Sequence, residues 1–271
     1  AHAADIDLDG DLDLCQSNFC PNYLWINHGS SFSEDAEEVG INTNVLVNWD
    51  CHFFDYDLDG DMDLWFGVGR INQYISNQYN SLYRNDGDID GDGILDFTDV
   101  ATELGIAGAN KTMGAALADI DNDGDLDLLM AHSDSPPRLW RNTAADEGAG
   151  GWLKVRLQGV EGGSNSHGIG CLVQVHLDDG TVLRQHAYAG DGYLGSSDPA
   201  IHFGLGSHTI EHIEVTWSTG HTQIIEEVNI NSVLEIEEEL PPYVPDFSAY
   251  ILAVMSLGLI LLLWPLLQRN S

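Results

Sequence analysis

Short apolar runs alternate with acidic turns through the first half of the chain. Phe53-Phe54 leads into Asp55-Tyr56-Asp57-Leu58-Asp59-Gly60-Asp61-Met62-Asp63, and Leu64-Trp65-Phe66 leads out. Ala115-Ala116-Leu117 and Leu128-Leu129-Met130 flank the stretch from Asp119 to Asp127 in the same way. Runs of this length bounded by Asp and Gly predict strands rather than helices. Later, Val173, Val175 and Leu177 alternate with polar residues, as do Ile213, Val215 and Trp217, with Asp179-Gly180 and Thr219-Gly220 as turns. That is the period of strands with one buried face. The last pattern is continuous: Phe247 to Leu267 is 21 residues without a charge, preceded by Pro241, Pro242 and Pro245 and followed by Arg269. At about 1.5 Å per residue it is long enough to cross a bilayer core of about 30 Å. Its place at the terminus behind a proline spacer favours an anchor over a buried soluble helix, and Arg269 favours a short cytoplasmic tail. A cleaved lipid-attachment or sorting tail would give nearly the same pattern.

The strand-turn-strand units repeat, and long repeats govern the fold reading. Phe32 to Ile41 aligns without gaps on Phe97 to Ile106. Leu24-Trp25-Ile26-Asn27, Leu82-Tyr83-Arg84-Asn85 and Leu139-Trp140-Arg141-Asn142 form a second aligned series. Four short strands per unit, recurring every roughly 50 to 65 residues, suit a β-propeller blade. The fold expected is all-β: a partial β-propeller over 1–146, a Gly-rich linker at 147–151 and a β-sandwich-like domain over 152–240. A Pro-rich spacer at 241–246, one transmembrane helix at 247–267 and a tail at 268–271 would follow. About three blades are present where closed propellers have four to eight, and Ala1 is no initiator, so further blades and a signal peptide are expected upstream.

The acidic turns carry the chemistry. The three long ones present Asp at positions 1, 3, 5, 7 and 9: Asp5, Asp7, Asp9, Asp11 and Asp13; Asp55, Asp57, Asp59, Asp61 and Asp63; Asp119, Asp121, Asp123, Asp125 and Asp127. A fourth, shorter copy has Asp88, Asp90, Asp92, Ile94 and Asp96. Calcium takes six to eight oxygens, and side chains from positions 1, 3, 5 and 9 with the carbonyl of position 7 can wrap it when Gly at position 6 allows the sharp turn. Gly10, Gly60, Gly93 and Gly124 stand there, and position 8 is apolar in all four (Leu12, Met62, Leu95, Leu126), as expected of a plug into a core. Carboxylates packed this closely repel one another without a cation. Solvated acidic turns are the bland alternative, yet four copies in register point to about four Ca²⁺ ions. The Glu usual at position 12 of an EF-hand is missing, so the loops join strands, not helices.

The D-x-D-x-D-G-D-x-D-L loops, the Leu-Tyr-Arg-Asn strand and the Phe-Thr-Asp-Val-Ala…Gly-Ile segment resemble FG-GAP/VCBS-type repeats over about residues 1 to 145. Gly163-Ser164-Asn165-Ser166-His167-Gly168-Ile169-Gly170, the stretch Gly190 to Pro199, and His202-Phe203-Gly204-Leu205-Gly206 resemble the ASPIC/UnbV domain. Together they resemble the cartilage acidic protein-like family. The resemblance implies calcium in loops at the blade edge and establishes no catalytic role. Cys171 departs from the small residue usual after the Ile-Gly pair.

A formal charge of -35, from 44 acidic and 9 basic residues, excludes a nucleic-acid binder, because phosphate backbones need Lys and Arg. Four divalent ions carry +8 and would leave -27, which still repels anionic partners unless calcium bridges them. Cys15 and Cys20 are close enough in sequence for a small-loop disulfide, while Cys51 and Cys171 read as buried thiols. His208 and His212 are four apart, but in a strand region that spacing does not make a zinc face. His167 and Asp191 lie in Gly-rich turns where a ligand could approach. No nucleophile elbow, phosphate loop or nucleotide fingerprint is present. The function expected is a non-enzymatic, calcium-binding protein anchored at the cell surface with its β domains outside, recognising a protein or glycan. The competing expectation is an extracellular enzyme acting on polysaccharide, with its site upstream or at His167 and Asp191.

Overall fold

Each long acidic loop joins two antiparallel strands, and these joins build the first half of the molecule. The computed structural model describes residues 1–19, 21–41, 47–69, 79–108, 110–193 and 195–241. The first sheet runs β1 (His2–Ala4), β2 (Asp13–Gln16), β3 (Tyr23–Asn27), β4 (Phe32–Glu34) in consecutive order. The second repeats it with β5 (Asn48–Phe54), β6 (Asp63–Val68), β7 (Ser81–Asn85) and β8 (Phe97–Asp99). The third holds β9 (Thr112–Ala118), β10 (Asp127–His132) and β11 (Arg138–Trp140) and stops at three strands. Among the described residues, therefore, the third unit does not have the four strands expected. After Asn142 the sequence has no counterpart of the Phe segment that forms β4 and β8. The chain instead turns through α1 (Ala144–Glu147), closed by Gly148 at φ 72°.

These up-and-down sheets adopt a β-propeller arrangement, in which β5 packs against both β1 and β9. Their cores lie between neighbouring sheets. Cys15, Leu24 and Ile26 meet Cys51, Phe53 and Phe66 in one, and Trp65 and Leu82 meet Leu117 and Leu128 in the next. Three of the position-8 residues, Met62, Leu95 and Leu126, pack against these cores, while Leu12 lines a cavity.

The second half is a β-sandwich. One sheet has the order β15 (Ile201–Gly206), β12 (Gly151–Gln158), β18 (Ser232–Glu237), with β12 and β18 parallel. The other runs β14 (Val182–His186), β13 (Leu172–Leu177), β16 (Ile210–Thr216), β17 (Thr222–Glu226), all antiparallel. Val173, Val175 and Leu177 face Leu153, Val155 and Phe203 across the core, with Ile213, Val215 and Trp217 beside them. Gly180 and Gly220 sit at φ 92° and 90°, where the hairpin turns need a residue without Cβ.

Both halves belong to one compact unit, Ala1–Glu239. The stretch from Gly190 to Pro199 helps to join them. The buried Asp50 carboxylate on β5 accepts N–H bonds from Tyr193 (2.8 Å) and from Ala115 on β9 (2.8 Å), and Asp198 N–H donates to the Leu117 carbonyl (2.9 Å). Cys15, Cys51 and Cys171 are buried free thiols. Cys15 faces the inter-sheet core beside Cys51, and the expected Cys15–Cys20 pairing falls on Cys20, which lies outside the described residues. No helix among the described residues is long and apolar enough to cross a membrane, and the expected span 247–267 lies outside them.

Candidate metal centres

All four acidic loops fold onto the same template. The fourth residue is left-handed in each: Leu8 (φ 60°), Leu58 (φ 63°), Gly91 (φ 79°) and Asn122 (φ 61°). So is the Gly at position 6, with φ between 89° and 108°. The first carboxylate accepts the N–H of that Gly: Asp5 from Gly10 (3.1 Å), Asp55 from Gly60 (2.9 Å), Asp88 from Gly93 (2.9 Å) and Asp119 from Gly124 (3.1 Å). This winding brings the carboxylates of positions 1, 3 and 9 together. One oxygen from each lies within 4.8 Å of the others in Asp5/Asp7/Asp13, Asp55/Asp57/Asp63, Asp88/Asp90/Asp96 and Asp119/Asp121/Asp127.

Position 5 is not part of these triads. Asp9, Asp59, Asp92 and Asp123 each accept the backbone N–H two residues on, at 2.8, 3.0, 2.9 and 3.3 Å. At position 7 the expected contribution was a carbonyl, yet the Asp125 side chain is itself buried, with one oxygen bonded to Ala145 N–H (2.9 Å). Asp11 and Asp61 at the same position are half-buried.

Position 9 ties the loop to its blade. Both oxygens of Asp63 are used, accepting from Tyr56 N–H and Asn85 N–H at 2.9 Å each. Asp13 does the same with Ile6 (3.0 Å) and Asn27 (2.8 Å), and Asp127 with Ile120 (2.9 Å) and Asn142 (2.8 Å). The Asn that closes each Leu-aromatic-x-Asn strand is thus part of the centre, a role the sequence reading did not give it. Its side chain also reaches the preceding blade's loop: Asn85 donates to the Ile6 carbonyl (3.1 Å) and Asn142 to the Tyr56 carbonyl (2.7 Å). The constant Asn at the end of each aligned strand was the available signal.

The electrostatics fit a cation. Asp55 and Asp63 are buried, and burial, followed by neighbouring carboxylates, holds both well above the usual range. Burial, then Asp59, raises Asp57 and Asp61 to about 6. Burial likewise raises Asp13 to about 6 and Asp125 to about 7. One oxygen each of Asp5, Asp55, Asp57 and Asp125 is buried without a hydrogen-bond partner, a costly state that an ion would relieve. Loop 119–127 is partly compensated by protein cations. Lys154 Nζ, buried, bonds Asp119 Oδ2 (2.9 Å), and Arg141 bonds Asp121, Asp123 (2.8 Å) and Asp146 (2.9 Å).

The other candidate residues are scattered. Asp191 Oδ2 lies 3.8 Å from the buried His52 Nδ1, beside a cavity of about 110 Å³. His167 is on an exposed turn, bonded to Ser166 and lining a different hollow. His208 pairs with Asp178 (3.0 Å), whereas His212 stacks on His176 across the strand pair, so the two share no metal face.

Residues 161–241 match the family model described as ASPIC and UnbV. Cartilage acidic protein 1 of Xenopus tropicalis is 34% identical over 241 residues, covering 86% of this chain and 36% of the relative. The proteins of that name from Mus musculus and Homo sapiens are 28% and 27% identical over 240 residues, covering 86% of this chain and 36% and 35% of theirs. The chain thus spans about a third of the length of these curated relatives. Propeller blades followed by a segment matching ASPIC and UnbV make the chain similar to cartilage acidic protein 1 over 86% of its length.

Proposed function

We propose that the protein is a calcium-stabilised, non-enzymatic module of the cell surface that recognises a protein or glycan ligand. One observation carries the metal reading: four loops of identical winding each gather three carboxylates within 4.8 Å, and buried oxygens of Asp5, Asp55 and Asp57 have no other partner. Oxygen-only donors gathered in one loop suit a hard cation of calcium's size. Bound calcium neutralises the carboxylates and fixes each join between the first and second strands of a blade. The Asn side chains then carry that rigidity to the next blade, and a rigid blade edge can present loops to a ligand at little entropic cost.

The remaining excess of negative charge favours neutral or cationic ligands, or anionic ones bridged by calcium. Relatives named for cartilage, an extracellular tissue, support an extracellular place, and the uncharged run 247–267 supports attachment to a membrane through the C-terminal segment. Titration calorimetry of the full chain with Ca²⁺ should find about four equivalents. A glycan and protein array probed with and without chelator should show ligand binding that disappears when calcium is removed. Array binding that is indifferent to chelator, or a calorimetric trace without heat, would sink the reading.

A further inference from the structure

The four loops share a winding but not a neighbourhood. Leu8 and Leu58 adopt a left-handed backbone that is disfavoured for any residue with a Cβ. Loops 88–96 and 119–127 place Gly91 and Asn122, which tolerate it, at the same position. The leucines find their compensation in the C-terminal sandwich. Leu8 packs against the sandwich core, and its carbonyl accepts from Arg184 of β14 (3.4 Å), which also reaches Asp5 Oδ2 (3.5 Å).

Leu58 is fully buried, and its carbonyl accepts the Gly206 N–H of β15 at 2.8 Å. A side chain at Gly204 of β15 would overlap Asp55 Oδ2 and crowd the Leu58 Cα, so this strand lies directly on the carboxylate cluster. Loop 88–96 is exposed at all three of its Asp88, Asp90 and Gly91 positions, and a side chain at Gly91 would meet open space.

We infer that cation occupancy of loops 5–13 and 55–63 locks the ASPIC/UnbV sandwich onto the blades, with Leu8 and Leu58 transmitting the effect, while loop 88–96 binds without influence on that interface. The inference rests on the calcium reading above. Positions 1 and 3 precede the fourth residue and position 9 lies beyond it, so closing their three carboxylates around an ion fixes the carbonyl and side chain that the sandwich grips. Without the ion, carboxylates this close repel, the turn opens and the Leu58–Gly206 hydrogen bond loses its acceptor. Coupling of this kind is reciprocal: a docked sandwich must raise the calcium affinity of these two loops.

Hydrogen exchange on the full chain, in excess Ca²⁺ and in chelator, tests it alongside a direct count of bound calcium by equilibrium dialysis. The expected result is at least tenfold slower exchange in Ile201–Gly206 with calcium, and no comparable change in the outer strand Thr222–Glu226. Bound calcium with unchanged exchange in Ile201–Gly206 would overturn the coupling and leave the calcium reading standing; absence of bound calcium would overturn both. Gly204→Ala should weaken one calcium site about tenfold, whereas Gly190→Ala, where a methyl meets open space, should weaken none. Equal affinities at all sites in both variants would also contradict the coupling, and the wild-type exchange decides the matter should Gly204→Ala fail to fold.

Discussion

Loops 55–63 and 88–96 carry the same spacing of Asp and Gly, yet one is buried and the other lies in solvent. The first joins the inner strands of a blade, lies under β15 and holds three carboxylates with two buried orphan oxygens. The second joins β7 to β8 at the outside, where water can solvate every carboxylate. The difference teaches that a motif fixes a winding, while the neighbourhood decides how much the fold depends on a cation. A carboxylate cluster in water costs little, but the same cluster under a strand must be protonated, paired or metallated.

The largest break in that comparison comes at loop 119–127, where Lys154 supplies a protein cation. Lys154→Met should leave Asp119 buried beside its neighbours and cost about 3–5 kcal/mol in chelator, read by urea unfolding. Saturating calcium should recover a large part of the loss. A variant as stable as wild type in chelator would show that the ammonium neutralises nothing.

Asp63→Asn removes one of two acceptors for buried N–H groups and a candidate ligand, and should cost about 1–3 kcal/mol even without metal. The matching Asp96→Asn should stay within about 0.5 kcal/mol in chelator, because its surroundings are partly exposed. Similar losses in both would erase the distinction between the loops.

The pH dependence sharpens it further. In the metal-free protein Asp13, Asp57 and Asp61 sit at about 6 and Asp125 at about 7, against roughly 3.9 for an unfolded Asp. The folded state therefore holds more protons than the unfolded one. Stability from these groups is complete below pH ~4 and is lost as pH rises through 6 to 7. Calcium-free thermal melts should accordingly fall between pH 5 and 7.5, while calcium affinity rises over the same window, since ligands must be deprotonated. A calcium-free Tm that rises with pH in this range would reverse the sign and contradict the burial argument.

Much of the fold was legible because its signals are local. The loop register, the apolar eighth position, the paired strands on either side and the alternation in β13 and β16 all lie within a dozen residues of one another. The missing fourth strand of the third blade is legible too, in the absence of a Phe segment after Asn142. Long-range pairings left no local trace. Nothing near Lys154 indicates that it meets Asp119, and nothing near Arg184 indicates Asp5. Leu8 and Leu58 looked like ordinary apolar residues, because their left-handed backbone is compensated by a sandwich whose contacting strands lie well over a hundred residues later. In sequence the Asn of the Leu-aromatic-x-Asn series marks only a strand, and the fold shows its amide crossing to the preceding loop.

The most direct test of the account is differential scanning calorimetry of the full chain in millimolar Ca²⁺ and in EDTA. Each site occupied at about a hundred times its Kd adds about 2.7 kcal/mol, so several sites should separate the two melting temperatures by ten degrees or more. Coincident melting temperatures in the two conditions would contradict the claim that cations hold the buried aspartate loops, and with them the blades, in place.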